Sequence, residues 1–306
     1  MNKLKLIVDE ISKVVIGKEK VIKLLVVSIT AGGHILLEDI PGVGKTTLAL
    51  ALSKTLGLDY NRVQFTPDVM PSDIIGFNMY NQKSHSFEYV EGAAVCNLFL
   101  ADEINRTSSK TQSALLELME EGRYTVEGVT RELPKPFVTI ATQNPFGSAG
   151  TQRLPQSQIE RFMVRMSMGY PDTDAEIEIL KGAKSDKLSV LNNIMTSSVL
   201  LEYQKMAEEC FVKDNIYRYI VDIVNETRNN QYIAIGISPR GSIAILKMAK
   251  ANAVFNDRDY VVQQDIIDII SETASHRIEL SAEGRAKGLT EKQVIDSIIK
   301  KVKIKG

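Results

Sequence analysis

Residues 36–47, LLEDIPGVGKTT, hold the side-chain types that a phosphate-binding loop needs. A short apolar run leads into Pro41, Gly42, Val43 and Gly44, then Lys45, Thr46 and Thr47 open a helical pattern. Glycines let backbone N–H groups curl around a phosphate, and the helix N-terminus adds a partial positive charge. At this spacing Lys45 would reach the β and γ phosphates of a nucleotide, and the Thr46 hydroxyl would coordinate Mg²⁺. The general pattern GxxxxGK[ST] has glycine where this chain has Asp39. A carboxylate there would weaken phosphate binding if its side chain faced the loop.

Further along, Asp102 and Glu103 directly follow the apolar run LFLA. A nucleotide hydrolase needs this at the end of a neighbouring strand: one carboxylate holds Mg²⁺, the next accepts a proton from the attacking water. A second apolar run, FVTIAT, leads to Asn144, whose amide would orient that water or touch the γ phosphate; Asn144 and Pro145 also start a turn. Arg161 in QIERF is either a surface arginine paired with Glu160 or a finger reaching a neighbour's nucleotide. Arg240 in GISPRGS sits in the first turn of a helix, where a cation opposes the macrodipole. An anionic partner makes sense of that position, with the guanidinium aimed at the nucleotide from a second domain.

These residues need a scaffold. Strand-like runs at 34–38, 61–65, 98–101, 137–142 and 162–168 alternate with helical patterns at 44–56 and 110–121, the mark of an α/β sheet. Beyond Tyr170 and Pro171 the strand-like runs nearly disappear, and 195–306 reads as successive amphipathic helices. The clearest starts at Thr290, with Gln293 completing a capping box and Val294, Ile295, Ile298, Ile299 and Val302 as its apolar stripe. The expected division is a nucleotide-binding core over 1–175 and a helical lid over 190–306. Composition agrees: 306 residues, 44% hydrophobic, 37 Lys+Arg against 38 Asp+Glu, net charge -1, and two cysteines, Cys96 and Cys210. That excludes a disordered chain and a disulfide scaffold, and argues against nucleic-acid binding by bulk electrostatics. No apolar run approaches the roughly 18 residues of a membrane helix. Asp9 and Glu10 interrupt the apolar start, which reads against a secretory leader and for a cytoplasmic protein. His34, His85 and His276 show no metal-ligand spacing.

Taken in order, these segments resemble the MoxR family of AAA+ ATPases along essentially the whole chain. Residues 32–46 resemble its Walker A region, where Asp at 39 is common, and residues 100–121 its Walker B region and following helix, the most specific match. The resemblance implies a P-loop AAA+ core, a five-stranded parallel sheet with helices on both faces, followed by a smaller all-helical lid. It implies ATP and Mg²⁺, with Val15 and Ile16 flanking the adenine and residues 41–47 cradling the phosphates. Asp102 joins Thr46 on the metal, Glu103 activates water, Asn144 is sensor 1, Arg161 the arginine finger and Arg240 sensor 2. Hairpin inserts at 73–93 and 123–137 fit the same clade, with Glu127 and Gly128 at the second turn. The resemblance further implies a homo-oligomeric ring, usually a hexamer, acting chaperone-like on a separate protein with a von Willebrand factor A domain. The chain departs from the family at Ala93, Ala94 and Val95, at Glu160 where Asp is common, and at Thr107–Ser109. Two rival classes stay open at this stage. A nucleic-acid motor would use Arg123, Arg131 and Lys135 of the second hairpin, although Glu127 sits at its tip. A scaffold without turnover would have no need of the Asp102 and Glu103 pair.

Overall fold

A computed structural model describes residues 2–144, 154–181 and 187–304. The chain opens with α1 (Lys3–Ser12) and α2 (Glu19–Thr30), then β1 (Ile35–Glu38) and α3 (Lys45–Leu56). There follow β2 (Tyr60–Gln64), α4 (Pro71–Ile75), the hairpin β3 (Gly76–Asn81) and β4 (Ser86–Glu91), β5 (Leu98–Asp102) and α5 (Ser109–Glu121). A second hairpin, β6 (Arg123–Val126) and β7 (Val129–Glu132), precedes β8 (Val138–Gln143), α6 (Gln156–Ile159), β9 (Val164–Met166) and α7 (Thr173–Lys181). The second half holds α8 (Ser197–Glu209), α9 (Asp214–Arg228), β10 (Ile233–Ile235), α10 (Pro239–Phe255), α11 (Gln263–Ala274), β11 (Glu279–Leu280), α12 (Ala282–Ala286) and α13 (Glu291–Lys301).

The central sheet has the order β2-β5-β8-β1-β9, and every pairing in it is parallel. Such a sheet must be covered on both faces, and alternation along the strands does this. Ile35, Leu37, Leu98, Leu100, Val138 and Ile140 enter one apolar cluster with α1, α2 and α3. Leu36, Phe99, Ala101 and Ala141 enter another, beneath α4, α5 and the hairpins. The expected parallel core is therefore present. β9 is shorter than the 162–168 run suggested: the carbonyls of Phe162 and Met163 are engaged by Arg277 of the second half, and Ser167 and Met168 donate to Asp39. The second hairpin turns through Glu127 (φ 49°) and Gly128 (φ 81°), two left-handed residues that suit the twist of a tight hairpin.

The lid is helical apart from the two-stranded ribbon β10-β11, too short to read in sequence. Thr290 and Gln293 form the expected capping box on α13, whose Val294, Ile295 and Ile298 are buried. The lid packs on α2 through α8 and α10, and on β9 through α11. The larger apolar cluster runs unbroken from core to lid. Asn2 Nδ2 adds a link by donating to Phe255 O at 2.9 Å. Among the described residues no helix is long and apolar enough to cross a membrane.

Candidate functional site

β1 ends at Glu38 and the chain turns into α3 through Gly42 (φ 87°) and Gly44 (φ 93°), a left-handed backbone that side chains with a Cβ adopt at a cost of about 1–2 kcal/mol. A Cβ built at Gly42 meets nothing within 4 Å, so the space beside the loop is open there. No side chain caps the N-terminus of α3, which leaves its first N–H donors for a ligand. Lys45 Nζ donates to the carbonyls of Asp39 (2.9 Å) and Ile40 (3.1 Å), folded over the loop it would serve. These features fit a phosphate chain. Val15 is buried in the larger cluster and Ile16 is half-buried; Val43, Thr46 and Thr47 are half-buried and Pro41 is exposed.

Asp39 is turned away from the loop. Its buried carboxylate accepts from Ser167 Oγ (2.6 Å), Met168 N (2.6 Å) and Gly169 N (3.1 Å), just past the end of β9. The charge that threatened phosphate binding in the sequence is spent on tying the loop's entrance to the neighbouring strand.

Two strands away, β5 delivers Asp102 and Glu103 beside the end of β8. The Thr142 hydroxyl donates to Asp102 Oδ1 (2.5 Å) and accepts from the Glu103 N–H (2.9 Å), holding both acids through one side chain. Arg62 on β2 donates to Asp102 Oδ2 at 2.7 Å. Glu103 sits in the left-handed region (φ 56°), which costs a non-glycine residue about 1–2 kcal/mol and re-aims its carboxylate. That carboxylate accepts from Arg106 Nη1 at 2.6 Å. Asn144 follows the end of β8, where the Asp39 N–H donates to Gln143 O at 3.2 Å, so it starts beside the entrance to the phosphate loop. Pro145, its partner in the expected turn, lies outside the described residues.

Arg161 and Arg240 stand elsewhere. His34, just before β1, marks the strand-start edge of the sheet. Its Nδ1 accepts from the Thr139 N–H (3.0 Å), so its Nε2–H donates to Met119 O (2.8 Å), and its own carbonyl accepts from the Met163 N–H (2.7 Å). Glu120 follows Met119, and Arg161 precedes Met163, so both lie at this edge. The phosphate loop follows the opposite end of β1, about 16 Å away at the rise of a strand. Glu120 receives both arginines: Arg240 Nη2 lies 2.6 Å from Oε1 and Arg161 Nε 3.2 Å from Oε2. The sequence aims Arg240 at a nucleotide from the second domain. In the structure it stands beside Arg161, in a lid that packs along α2 and β9. Glu160 is also accounted for: Oε2 accepts from the hydroxyl of Ser238, the N-cap of α10, at 3.0 Å.

The cations of the second hairpin are each engaged within the chain. Arg123 lies 3.1 Å from Glu121, Lys135 lies 3.3 Å from Glu132, and Arg131 stacks 4.0 Å over the Tyr89 ring. At the tip, Glu127 accepts from Asn78 Nδ2 at 2.8 Å. The cysteines are buried spectators; burial pushes the Cys96 thiol up to about 12. Sequence reading missed Arg62, Thr142 and Glu120. Thr142 left one trace, a hydroxyl two residues before Asn144 in an apolar run.

Comparison with known proteins identifies the family. The family described as "ATPase family associated with various cellular activities (AAA)" matches residues 34–164, and the AAA lid domain matches residues 225–298. The uncharacterized protein YeaC of Bacillus subtilis is 43% identical, over 97% of this chain and 93% of its own. Chaperone MoxR1 of Mycobacterium tuberculosis is 35% identical, over 96% of this chain and 80% of its own. The crystal structure of a putative ATPase from Cytophaga hutchinsonii superposes with a TM-score of 0.92 at 38% identity, covering 100% of this chain and 96% of that one. With an AAA core and an AAA lid in the same order, and such likeness to MoxR1 along nearly its whole length, the chain belongs to the MoxR family of AAA+ ATPases.

Proposed function

We propose that this protein hydrolyses ATP with Mg²⁺ as a homo-oligomeric ring, a hexamer by family resemblance, with each nucleotide held between two subunits. The core spans 1–175 and the lid 190–306. One observation carries the reading: Arg161 and Arg240 share Glu120 at the edge of the sheet opposite the phosphate loop. A single chain cannot bring them to its own nucleotide, so a complete site needs the loop of one subunit and the arginine pair of the next.

Within that site residues 41–47 cradle the phosphates with backbone N–H groups, and Val15 and Ile16 border the adenine. Lys45 exchanges the carbonyls of Asp39 and Ile40 for phosphate oxygens. Thr46 and Asp102 would hold Mg²⁺, which when bound would offset phosphate charge. Glu103, oriented by Thr142, takes the proton of the attacking water, and Asn144 positions that water. The neighbour's Arg161 and Arg240 offset charge developing on the transferred phosphoryl group. The work done is the remodelling of a separate cytoplasmic protein, for which a chain with a von Willebrand factor A domain is the expected client. The name Chaperone MoxR1 of the relative supports that role. A nucleic-acid motor is disfavoured by Glu127 at the hairpin tip and by the net charge of -1.

The test is phosphate release with and without Mg²⁺, alongside equilibrium ATP binding. Wild type turns over only with the metal, and Lys45→Ala loses both binding and turnover. Unchanged ATP affinity in Lys45→Ala overturns the loop assignment.

A further inference from the structure

The lid reaches the segment that carries Arg161 through one buried cation. Arg277 ends the short 3₁₀ turn Ser275–Arg277 after α11, and its side chain is 1% exposed. It forks onto that segment's backbone: Nη2 donates to Phe162 O (2.7 Å) and Glu160 O (3.3 Å), and Nη1 to Met163 O (3.1 Å). Within the lid, Nη1 also donates to Thr273 O of α11. Its neighbour His276 adds to the grip. His276 Nε2 lies 3.1 Å from Phe162 O and 2.7 Å from Arg277 Nη1, and the His276 carbonyl accepts from Gln156 Nε2 at 2.5 Å. Burial and the adjacent guanidinium push the His276 ring well below its ordinary value, so it is neutral at pH 7. Burial lowers Arg277 to about 10, which leaves it cationic there.

The stem of Arg277 makes a second contact. It passes against the first turn of α10, where a Cβ built on Gly241 would lie 2.9 Å from Arg277 Cδ. Gly241 directly follows Arg240. One side chain thus touches the backbone on both sides of Arg161 and the turn that carries Arg240. Among the described residues no carboxylate lies within ion-pair distance of Arg277. The carbonyls of Glu160, Phe162 and Met163 and the charge of Glu160 compensate it, and separating lid from segment would break these charge-assisted hydrogen bonds together. The two must therefore move as one body.

We propose that Arg277 is the positioning residue that sets Arg161 and Arg240 as a pair, so that the lid of one subunit governs hydrolysis at its neighbour's nucleotide. This rests on the reading that Arg161 acts on the next subunit. Two variants test it, Arg277→Gln, which removes the charge, and Arg277→Lys, which keeps the charge but cannot fork between carbonyls. Both are assayed for ATP affinity, for kcat and KM, and after mixing with Lys45→Ala subunits, whose arginine pair is intact.

ATP affinity and KM stay within about twofold of wild type, because the loop lies at the other edge. A displacement of the pair by an ångström lowers kcat on the order of 10-fold to 100-fold, less in Arg277→Lys than in Arg277→Gln. Mixing restores part of the activity, since a Lys45→Ala neighbour supplies a well-placed pair to the variant's intact loop. The inference is overturned if the folded variants keep wild-type kcat. It is equally overturned if affinity and kcat fall together and mixing recovers nothing, the pattern of a merely structural residue. Should Arg277→Gln not fold, Arg277→Lys decides by the same readouts. Arg161→Ala, run in parallel, separates the two levels. Full turnover in Arg161→Ala removes the underlying reading, whereas an inactive Arg161→Ala beside a fully active Arg277→Lys removes this inference alone.

Discussion

Replacing Asp39 distinguishes a carboxylate that repels phosphate from one that holds the loop in place. Its oxygens accept three hydrogen bonds, at 2.6, 2.6 and 3.1 Å, from the segment following β9. Bonds to a charged acceptor are worth about 1.5–3 kcal/mol each, and a buried N–H left unpaired costs about 1–3 kcal/mol. These terms overlap, so Asp39→Ala should lose about 3 kcal/mol, which at about 2.1 cal/mol/K of unfolding entropy per residue corresponds to roughly 5 °C in melting temperature for a chain of 306 residues. Asp39→Asn keeps one acceptor but turns an amide N–H toward donors, and should lose about 2 kcal/mol. Neither variant binds ATP more tightly than wild type, because the charge they remove faces away from the loop. The assay is a melting curve followed by an ATP titration on the same preparations. Tighter ATP binding by Asp39→Asn at an unchanged melting temperature would refute the reasoning, since that is the behaviour of a carboxylate aimed at the phosphates.

Two further outcomes are expected. Glu103→Gln keeps ATP binding and loses turnover by about 100-fold or more, the range of a lost general base; wild-type turnover in this variant would require another base. The second concerns pH. His34 is buried with Nδ1 accepting from the Thr139 N–H, and burial lowers its pKa from 6.5 to about 4. Between those values the unfolded chain takes up a proton that the folded chain refuses, so stability is fully present above pH 6.5 and falls as pH drops toward 4. The whole window amounts to about 3 kcal/mol, of which about 2 kcal/mol is lost by pH 5. Buried His276, also lowered, adds in the same direction. Urea midpoints at pH 7 and pH 5 measure the loss, and equal midpoints would contradict it.

The parts of this molecule legible in sequence are those set by local pattern. The buried central strands announce themselves as apolar runs, and the phosphate loop and the Asp102–Glu103 pair are contiguous in the chain. The capping box at Thr290 and the turn at Glu127 and Gly128 depend on neighbours within a few residues. What stayed hidden depends on approach between distant segments. Asp39 is oriented by residues 167–169, Asp102 is held by Thr142 and Arg62, and Arg240 is placed by Glu120. No periodicity encodes which way a buried carboxylate turns. The position of Arg240 follows from the docking of the lid on α2 and β9, a packing choice made by apolar residues spread over the whole chain. β9 is short at both ends: Arg277 from the lid engages the carbonyls of Phe162 and Met163 before it, and Ser167 and Met168 after it donate to Asp39.

The central claim is that one nucleotide site is built from two copies of this chain. Its most direct test is the ATPase rate of an equal mixture of Arg161→Ala and Lys45→Ala proteins. Each is inactive alone, one for want of the arginine and the other for want of the loop lysine. Mixed, they should form sites that pair an intact loop with an intact Arg161, and phosphate release should rise well above the sum of the two. A mixture as inactive as its parts, with co-assembly of the two proteins shown by cross-linking, would contradict the account.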